Sequence, residues 1–471
     1  MNKNRDSILT NRKTFHYTLL LLIVLLGCVL RFYKLGEWSF WGDEMFTVGG
    51  REDGFNYTFI RQSVSMTLIQ FLVAWLGITE WNARLIPALF GMVSIPVLYL
   101  LVRKMFDPVV GLAAAILLAV SPWHLYWSQN ARFYVPLLLF YTVALFAFYY
   151  GFEKDKPWYL VVSLLFLGLA TKERLLALFF VPIVTSYLLL IIVLPFEKPT
   201  GLRWRNIAIF FLPGVVAGGF FVGPYVQNLS GWMEGFGYVN NDPVWIMLGV
   251  IYYIGLVVIG FAALGAVYFL VQKNRAVLLL SLGAVVPLFS IMGLSLFHYT
   301  ANRYVFISLT CWLVLAALST VELYRQSPKN VKILAMGALL LLIITPLSED
   351  ALYFKYQNGN RDNWRGAFEF VKHHKSPQDL VVAINPELGN FYLEEKILNW
   401  TSIDPNTLDD SENRLWFVED MVAQEVYPEI HDWLTENARL VANYDVHAQA
   451  RNFQMRVYLY EPVKVYQDFA Q

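Results

Sequence analysis

The sequence is poor in charged residues and in cysteine. Asp, Glu, Lys and Arg make up 15% of its 471 residues, whereas soluble domains carry about 25%. The 36 acidic and 36 basic side chains cancel, so no basic excess indicates binding to nucleic acid. Cys28 and Cys311 both lie inside apolar runs, which excludes a disulfide framework and a cysteine zinc site.

The sequence is instead rich in apolar residues. They form 57% of the chain, and the mean hydropathy is +0.47. They are gathered into runs of about 15–28 residues, long enough to cross a bilayer when flanking side chains snorkel. A shorter run, 66–78, is expected to lie at the membrane interface. We predict a mainly α fold, a polytopic membrane bundle of about 11 transmembrane helices, at residues 15–30, 85–102, 109–126, 134–151, 158–170, 175–194, 206–223, 244–271, 276–297, 304–321 and 331–345.

Lys and Arg mark one side of this predicted bundle. If the spans alternate, the N-terminus and every second loop carry basic residues on the same side, and cytoplasmic loops are the ones enriched in positive charge. We therefore expect a multi-pass protein of the cell membrane (plasma or inner) with a cytoplasmic N-terminus. The residues on this side include Arg12, Lys104, Lys156, Arg203, Arg275 and Lys329.

The C-terminal part has a different pattern. Strand-like runs at 380–384, 414–418 and 455–460, with helical stretches at 362–374, 387–397 and 427–437, predict a small extracytoplasmic α/β domain. The expected division is a transmembrane domain, 1–346, with a first external loop at 31–84, followed by the α/β domain, 347–471. This domain has no glycine-rich phosphate loop, HExxH motif or nucleophile elbow, so we expect it to serve acceptor recognition or stability.

Two adjacent acids, Asp43 and Glu44, follow the first apolar run among three tryptophan and phenylalanine residues. Acidic side chains are costly near hydrocarbon, about 2.5–3.5 kcal/mol at a helix centre, so a pair kept there indicates chemistry at the membrane boundary. Arg84 in the same loop and polar residues in the other predicted external loops join them, and their cations run against the orientation rule. An anionic headgroup would explain those cations, because arginine binds phosphate with two parallel hydrogen bonds. The set comprises Arg84, Arg132, Tyr134, Lys172, Arg174, His298, Arg303 and Tyr304.

Each of these residues also has a structural interpretation. Arg84, at the start of a span, fits an interface residue whose long side chain extends its charge to water. In Lys172-Glu173-Arg174, the acid and its basic neighbours fit a turn whose charges offset one another. Arg132 and Arg303 precede aromatic residues, as in an aromatic belt. His298 alone is typical of a structural residue at the interface. The joint occurrence of the acids and cations on one face favours the functional interpretation.

Three motifs carry a family resemblance. Trp41-Gly42-Asp43-Glu44, Ala83-Arg84-Leu85-Ile86-Pro87 and Gln129-Asn130-Ala131-Arg132-Phe133-Tyr134 resemble the dolichyl-phosphate-mannose-protein mannosyltransferase-like group. That group includes the aminoarabinose transferases of lipid A and belongs to glycosyltransferase superfamily C. The resemblance is strongest over residues 30–185, and Asn302-Arg303-Tyr304 adds a weaker late match.

The resemblance implies an integral-membrane transferase that takes a sugar from a polyprenyl-phosphate carrier. It implies that Asp43 is the catalytic carboxylate, that Arg84 orients the acidic pair, and that Arg132 and Tyr134 form the external Arg-x-Tyr motif. By the same resemblance Lys172 is a phosphate ligand. The chain departs from the family at Asn130, where an acid is common, and at 63–68, where a His-Pro-Pro-Leu-like stretch is common.

The chemistry fits these residues. Phosphate is a competent leaving group, so the enzyme must deprotonate an acceptor hydroxyl and stabilise oxocarbenium character. Asp43 suffices as the base of one inverting displacement, with Glu44 as its modulator. The expected partners are the polyprenyl-phosphate-linked donor, a protein, glycolipid or glycan acceptor, and membrane lipid, without nucleic acid. The sequence indicates no particular cofactor, and the need for metal stays open, because Asp43 and Glu44 are compatible with a divalent ion.

Two other classes stay open. A transporter or flippase of lipid-linked sugars would place ionisable residues near mid-membrane and interrupt paired helices, whereas the charges here lie at span ends. A membrane scaffold that presents the C-terminal domain would leave the cluster of acids and cations unexplained.

Overall fold

The computed structural model describes residues 2–49, 63–216, 242–298, 300–330, 332–403, 413–448 and 451–462. Fifteen of its α-helices precede the C-terminal domain, together with two 3-10 helices, Leu175–Phe179 before α9 and Asn302–Ser308 before α14. The α-helices are α1 (Asn2–Phe32), α2 (Gly42–Val48), α3 (Val64–Leu76), α4 (Glu80–Met105), α5 (Pro108–Ala119), α6 (Pro122–Ser128), α7 (Tyr134–Glu153), α8 (Pro157–Glu173), α9 (Phe180–Val193), α10 (Trp204–Val216), α11 (Pro243–Ile254), α12 (Leu256–Val271), α13 (Arg275–Ser295), α14 (Leu309–Gln326) and α15 (Lys332–Lys355).

These helices form a bundle of membrane-spanning length. Within the described ranges, 7 helices are long and apolar enough to cross a membrane, or up to 9 if each bent pair is one span. The predicted number of spans was higher because α8 has only 17 residues, whereas α9 reaches 19 residues with the 3-10 helix before it. In addition, the predicted span 206–223 begins in α10 and runs beyond Val216, outside the described residues. α7 and α14 are almost wholly buried, whereas α1 and α15 expose apolar side chains, as expected of helices that face lipid.

Two predicted straight spans are bent. The span predicted at 244–271 is two helices, α11 and α12, that meet at 95°. Gly255 separates them with φ 89°, a conformation that costs glycine no steric strain. α5 and α6 meet at 59°, where Val120 and Ser121 interrupt the helix before Pro122.

The predicted interfacial run forms α3. Its Ile69 and Val73 side chains pack inward, while Phe71 and Trp75 are about three-quarters exposed, at 73% and 77%. One apolar face is therefore left uncovered by protein, as in a helix that lies in the headgroup region.

The C-terminal domain contains a mixed sheet. Its helices are α16 (Trp364–His374), α17 (Pro386–Leu393), α18 (Met421–Val426) and α19 (Pro428–Asn437), and its strands are β1 (Leu380–Ala383), β2 (Leu398–Asn399), β3 (Leu415–Glu419), β4 (Arg439–Tyr444) and β7 (Met455–Tyr460). The strand order is β2-β1-β3-β7-β4. β1 runs parallel to β2 and β3, and β7 runs antiparallel to β3 and β4. A separate small hairpin joins β5 (His447–Ala448) and β6 (Arg451–Asn452). The α/β prediction is confirmed, and the strands β2, β4, β5 and β6 were not predicted.

The two faces of this sheet have different partners. Leu415, Phe417 and Tyr458 pack against Leu434 of α19. The alternate residues of the same strands pack in one core with Phe40, Met45 and Val48 around α2, and with Ile69 and Val73 of α3. The domain therefore rests directly on the first loop of the membrane bundle.

Asp420 gives the domain a pH-dependent stability. It caps α18 by accepting a hydrogen bond from the Ala423 N–H at 2.7 Å. Burial, together with the nearby Asp362 and Glu419 carboxylates, raises its pKa to about 7. Because this value exceeds that of an unfolded Asp, the contribution of Asp420 to stability is complete below about pH 4. It is lost as the pH rises through about 7.

We expect Asp420→Asn to stabilise the protein increasingly between pH 5 and pH 8, since asparagine keeps the capping oxygen without the buried charge. The apparent melting temperature of the detergent-solubilised protein measures this at each pH. Asp432→Asn, on the exposed surface of α19, should change little at any pH. A constant offset for Asp420→Asn across the range would contradict the assignment.

Candidate active site at the helix ends

Asp43 lies in the first turn of α2, at the ends of several bundle helices. Its carboxylate is 26% exposed, and Oδ2 is 3.6 Å from Nη2 of Arg132 and 4.0 Å from Nη1 of Arg303. Arg132 precedes α7, and Arg303 lies in a 3-10 segment before α14. Residues distant in sequence thus place one accessible acid between two cations.

Glu44, the neighbouring acid, points the other way. It is 0% exposed and accepts from Nε and Nη2 of Arg84 at 2.8 and 2.7 Å. The Ala131 N–H donates to the same carboxylate at 2.7 Å. Burial opposes ionisation, but the guanidinium groups of Arg84 and Arg361 and these hydrogen bonds outweigh it and hold the pKa of Glu44 below its usual value.

Arg84 is buried together with Glu44 and has no donor left for a substrate. Nη1 donates to the carbonyls of Leu35 and Trp38, and Nη2 also donates to the carbonyl of Ser39. The prediction that Arg84 binds substrate is therefore not supported by its position. Its hydrogen bonds instead join α4 to the first loop.

The segment before α7 is tied to the first loop. Trp41 Nε1 donates to Asn130 Oδ1 at 2.8 Å, so the residue that stands where related proteins often have an acid anchors an indole instead. Nη1 of Arg132 donates to the Asp43 carbonyl at 2.7 Å and to Thr47 Oγ1 at 3.1 Å. Arg132 is consequently held against α2.

Aromatic residues surround the two arginines. Tyr134 is buried, with its ring 4.0 Å from that of Trp127, and it interacts electrostatically with Arg303, Arg132, Asp43 and Arg174. The Arg174 guanidinium lies 5.2 Å from the Phe133 ring centre. Arg303 lies 5.8 Å from that of Tyr304. These predicted residues are therefore brought to one region.

The remaining predicted residues are less central. Lys172, in the last turn of α8, interacts with Glu173, whose carboxylate accepts from the backbone N–H and the hydroxyl of Ser65 at 3.0 and 2.6 Å. Glu173 therefore joins α8 to α3 rather than serving only its cationic neighbours. His298 follows α13 and donates its backbone N–H to Leu294. The contacts seen in the described part of the chain do not bring the His298 imidazole to Asp43.

The Gln129 side chain connects several elements by hydrogen bonds, a role that the sequence did not predict. Its buried side chain donates to the carbonyls of Leu30, Arg31 and Tyr33 at the end of α1, and accepts from Trp38 and Tyr353. Its place beside Asn130 and Arg132 in the motif before α7 was the only signal in the sequence. Across the described ranges, no group of three or more His, Cys, Asp or Glu could hold a metal, and Glu44 is already occupied by Arg84.

Known proteins share this fold. The structure of ArnT from Cupriavidus metallidurans, in the apo state and bound to undecaprenyl phosphate, matches with a TM-score of 0.58 and 13% identity, over 93% of this chain and 97% of that one. The archaeal oligosaccharyltransferase AglB from Archaeoglobus fulgidus, in complex with an inhibitory peptide and a dolichol-phosphate, matches with 0.58 and 13%, over 88% and 70%. No curated protein matches the sequence significantly.

The chain is thus a helical bundle with the fold of ArnT and AglB, and its described part contains 7 to 9 candidate membrane spans. Residues 64–201 match the family described as dolichyl-phosphate-mannose-protein mannosyltransferase. The resemblance that the motifs predicted is confirmed.

The Glu44–Arg84 pair predicts a large stability effect. Glu44→Gln should destabilise the protein by about 3–5 kcal/mol, because it leaves a buried guanidinium without its counter-charge. Thermal unfolding in detergent, read from tryptophan fluorescence, measures the change.

The matched control for this prediction is Glu37→Gln, which removes a partner of Lys34 from a pair that is partly exposed to solvent. Exposed pairs contribute about 0–1 kcal/mol, so its unfolding should match that of the wild type. Equal effects of the two substitutions would show that the buried pair contributes no more to the free energy of unfolding than the Lys34–Glu37 pair does.

Proposed function

We propose that this protein is a membrane glycosyltransferase that moves a sugar from a polyprenyl-phosphate-linked donor to an acceptor hydroxyl, with Asp43 as the base. The observation that carries the proposal is the contrast between the two adjacent acids. Glu44 is buried and paired, whereas Asp43 is accessible and faces Arg132 and Arg303. A carboxylate and two guanidinium groups at helix ends suit a reaction that separates a sugar from a lipid phosphate.

The residues divide the work of a single displacement. Asp43 takes the proton of the acceptor hydroxyl as its oxygen forms the new bond to the anomeric carbon, and the bond to the phosphate oxygen breaks. Inversion follows from this one step. Arg132 and Arg303 hold the phosphate and stabilise the charge that it gains as it leaves, with Lys172 and Arg174 as further cations of the same region.

Tyr134, Tyr304 and His298 are proposed to line the donor or acceptor path. Glu44 is assigned to the support of the loop, through Arg84, and not to proton transfer. Support for a polyprenyl-phosphate donor comes from the relatives with this fold, since ArnT binds undecaprenyl phosphate and AglB binds a dolichol-phosphate. The acceptor belongs to the protein, glycolipid or glycan hydroxyls.

The proposed location follows from the distribution of charge. Because cytoplasmic loops are enriched in positive charge, we infer a cytoplasmic N-terminus. The Asp43 end of the bundle then lies on the outer face of the plasma or inner membrane together with the C-terminal domain. A lipid tail can remain in the bilayer while its phosphate reaches Asp43.

Asp43→Asn should lower transfer about 10²- to 10⁴-fold, since the base is removed while the shape is kept. Release of radiolabelled sugar from undecaprenyl-phosphate-linked hexoses and pentoses to a cell-envelope extract, with purified protein in detergent, measures this. Glu37→Gln in the same loop is the control. Near-normal transfer by folded Asp43→Asn would refute the base assignment, and movement of the lipid without a glycosylated product would favour a transporter.

Arg303→Ala should weaken binding of undecaprenyl phosphate by about 10- to 100-fold, because a charge-assisted hydrogen bond is lost. Quenching of tryptophan fluorescence in nanodiscs measures the affinity. The control is Arg203→Ala. Arg203 pairs with Asp155, just beyond the far end of α7, about 30 Å from the start of this helix. If both substitutions weaken binding equally, Arg303 does not form the phosphate site.

A further inference from the structure

The segment from Gly36 to Phe40, just before the Trp41-Gly42-Asp43 motif, has no helix or strand of its own. Its position therefore depends on contacts from other elements. On one side the Arg84 guanidinium donates hydrogen bonds to the carbonyls of Leu35, Trp38 and Ser39. The other side is covered by the C-terminal domain.

Tyr392 of α17 makes the central contact on that second side. The backbone N–H of Phe40 donates to the Tyr392 hydroxyl at 2.7 Å, and this hydroxyl donates to Glu80 Oε1 at 2.8 Å. Burial and the Glu80 carboxylate raise the pKa of Tyr392, so the hydroxyl keeps the proton that it donates. Glu80 begins α4, the helix that carries Arg84.

The two hydrogen bonds that join Phe40, Tyr392 and Glu80 form a relay, and further contacts surround it. Arg365 of α16 pairs with Glu80 and donates to the carbonyls of Glu37 and Gly36 at 3.1 and 3.3 Å. Ser39 Oγ donates to the Asp362 carbonyl at 2.8 Å. The C-terminal domain thus binds backbone or side-chain atoms at four of the five positions from Gly36 to Phe40.

Packing adds to the hydrogen bonds. Phe40 is 0% exposed, and its ring meets that of Phe391 edge-on at 5.4 Å. A β-carbon added at Gly42 would lie 3.3 Å from Asn385 Oδ1, so α17 approaches the start of α2 closely. The first turn of α2, which carries Asp43, is therefore bounded by the C-terminal domain.

We propose that Tyr392 is a positioning residue for Asp43, and that the C-terminal domain completes the catalytic centre by holding the first loop on α4. This inference rests on the proposed function. Phe40 lies three residues before Asp43, and without the hydroxyl its buried N–H would lose its acceptor. A displacement of about 1 Å at a catalytic group can lower the rate about 100-fold, while donor binding by Arg132 and Arg303 would continue.

Tyr392→Phe tests the relay with two independent measurements. Hydrogen–deuterium exchange at the Phe40 amide should become about tenfold faster, as expected for the loss of one hydrogen bond. In the transfer assay, kcat should fall about 10- to 100-fold with the donor KM unchanged within about twofold. The apparent melting temperature should stay close to that of the wild type, which separates positioning from a general loss of stability.

Tyr427→Phe is the matched control, since Tyr427 packs against the opposite face of the sheet and should change neither exchange at Phe40 nor kcat. Glu80→Ala removes the partner of both the Tyr392 hydroxyl and the Arg365 guanidinium, so it should loosen the same contacts on the loop. It should also raise exchange at Phe40 and lower kcat, and it decides the question if Tyr392→Phe folds poorly. Faster exchange with unchanged kcat would overturn the positioning role. Unchanged exchange would overturn the contact itself. A wild-type protein without transferase activity would refute the proposed function, whereas the exchange experiment would still test the relay.

Discussion

The structure depends on one buried arginine, Arg84, which needs a counter-charge and hydrogen-bond acceptors. Arg84 is wholly enclosed, and an enclosed guanidinium is tolerated only when its charge and its N–H groups are all matched. Glu44 supplies the charge, and the carbonyls of the first loop supply the other acceptors. These contacts join α4 to the segment before α2. The Ala131 N–H, which donates to Glu44, adds the segment before α7.

This demand also separates two acids that are adjacent in sequence. Consecutive residues of a helix point about 100° apart, so when Glu44 faces Arg84, Asp43 must face elsewhere. In this structure it faces Arg132 and Arg303 at the ends of α7 and α14. The buried pair therefore determines the direction of Asp43, and the C-terminal domain closes the loop from the other side through Tyr392 and Arg365.

The parts that could be predicted are those with local causes. Long apolar runs predicted most of the bundle helices, and short runs rich in β-branched and aromatic residues predicted β1, β3 and β7. The right-angle break at Gly255 could not be predicted, because a glycine in an apolar run is equally compatible with a continuous membrane helix. The strand β4 was missed because its residues are largely exposed or half-buried and its place depends on pairing with β7.

By itself, the sequence determined the class of fold, the order of its elements and the candidate residues Asp43, Glu44, Arg132 and Arg303, since hydropathy, charge and motif spacing are local properties of the chain. Only the tertiary structure decided which of the two acids is accessible, that Arg84 and Asn130 serve the loop, and that Gln129 and Tyr392 hold it. These roles arise from contacts between residues separated by as many as several hundred positions. Such contacts depend on how the helices and the sheet pack, which no short stretch of sequence specifies.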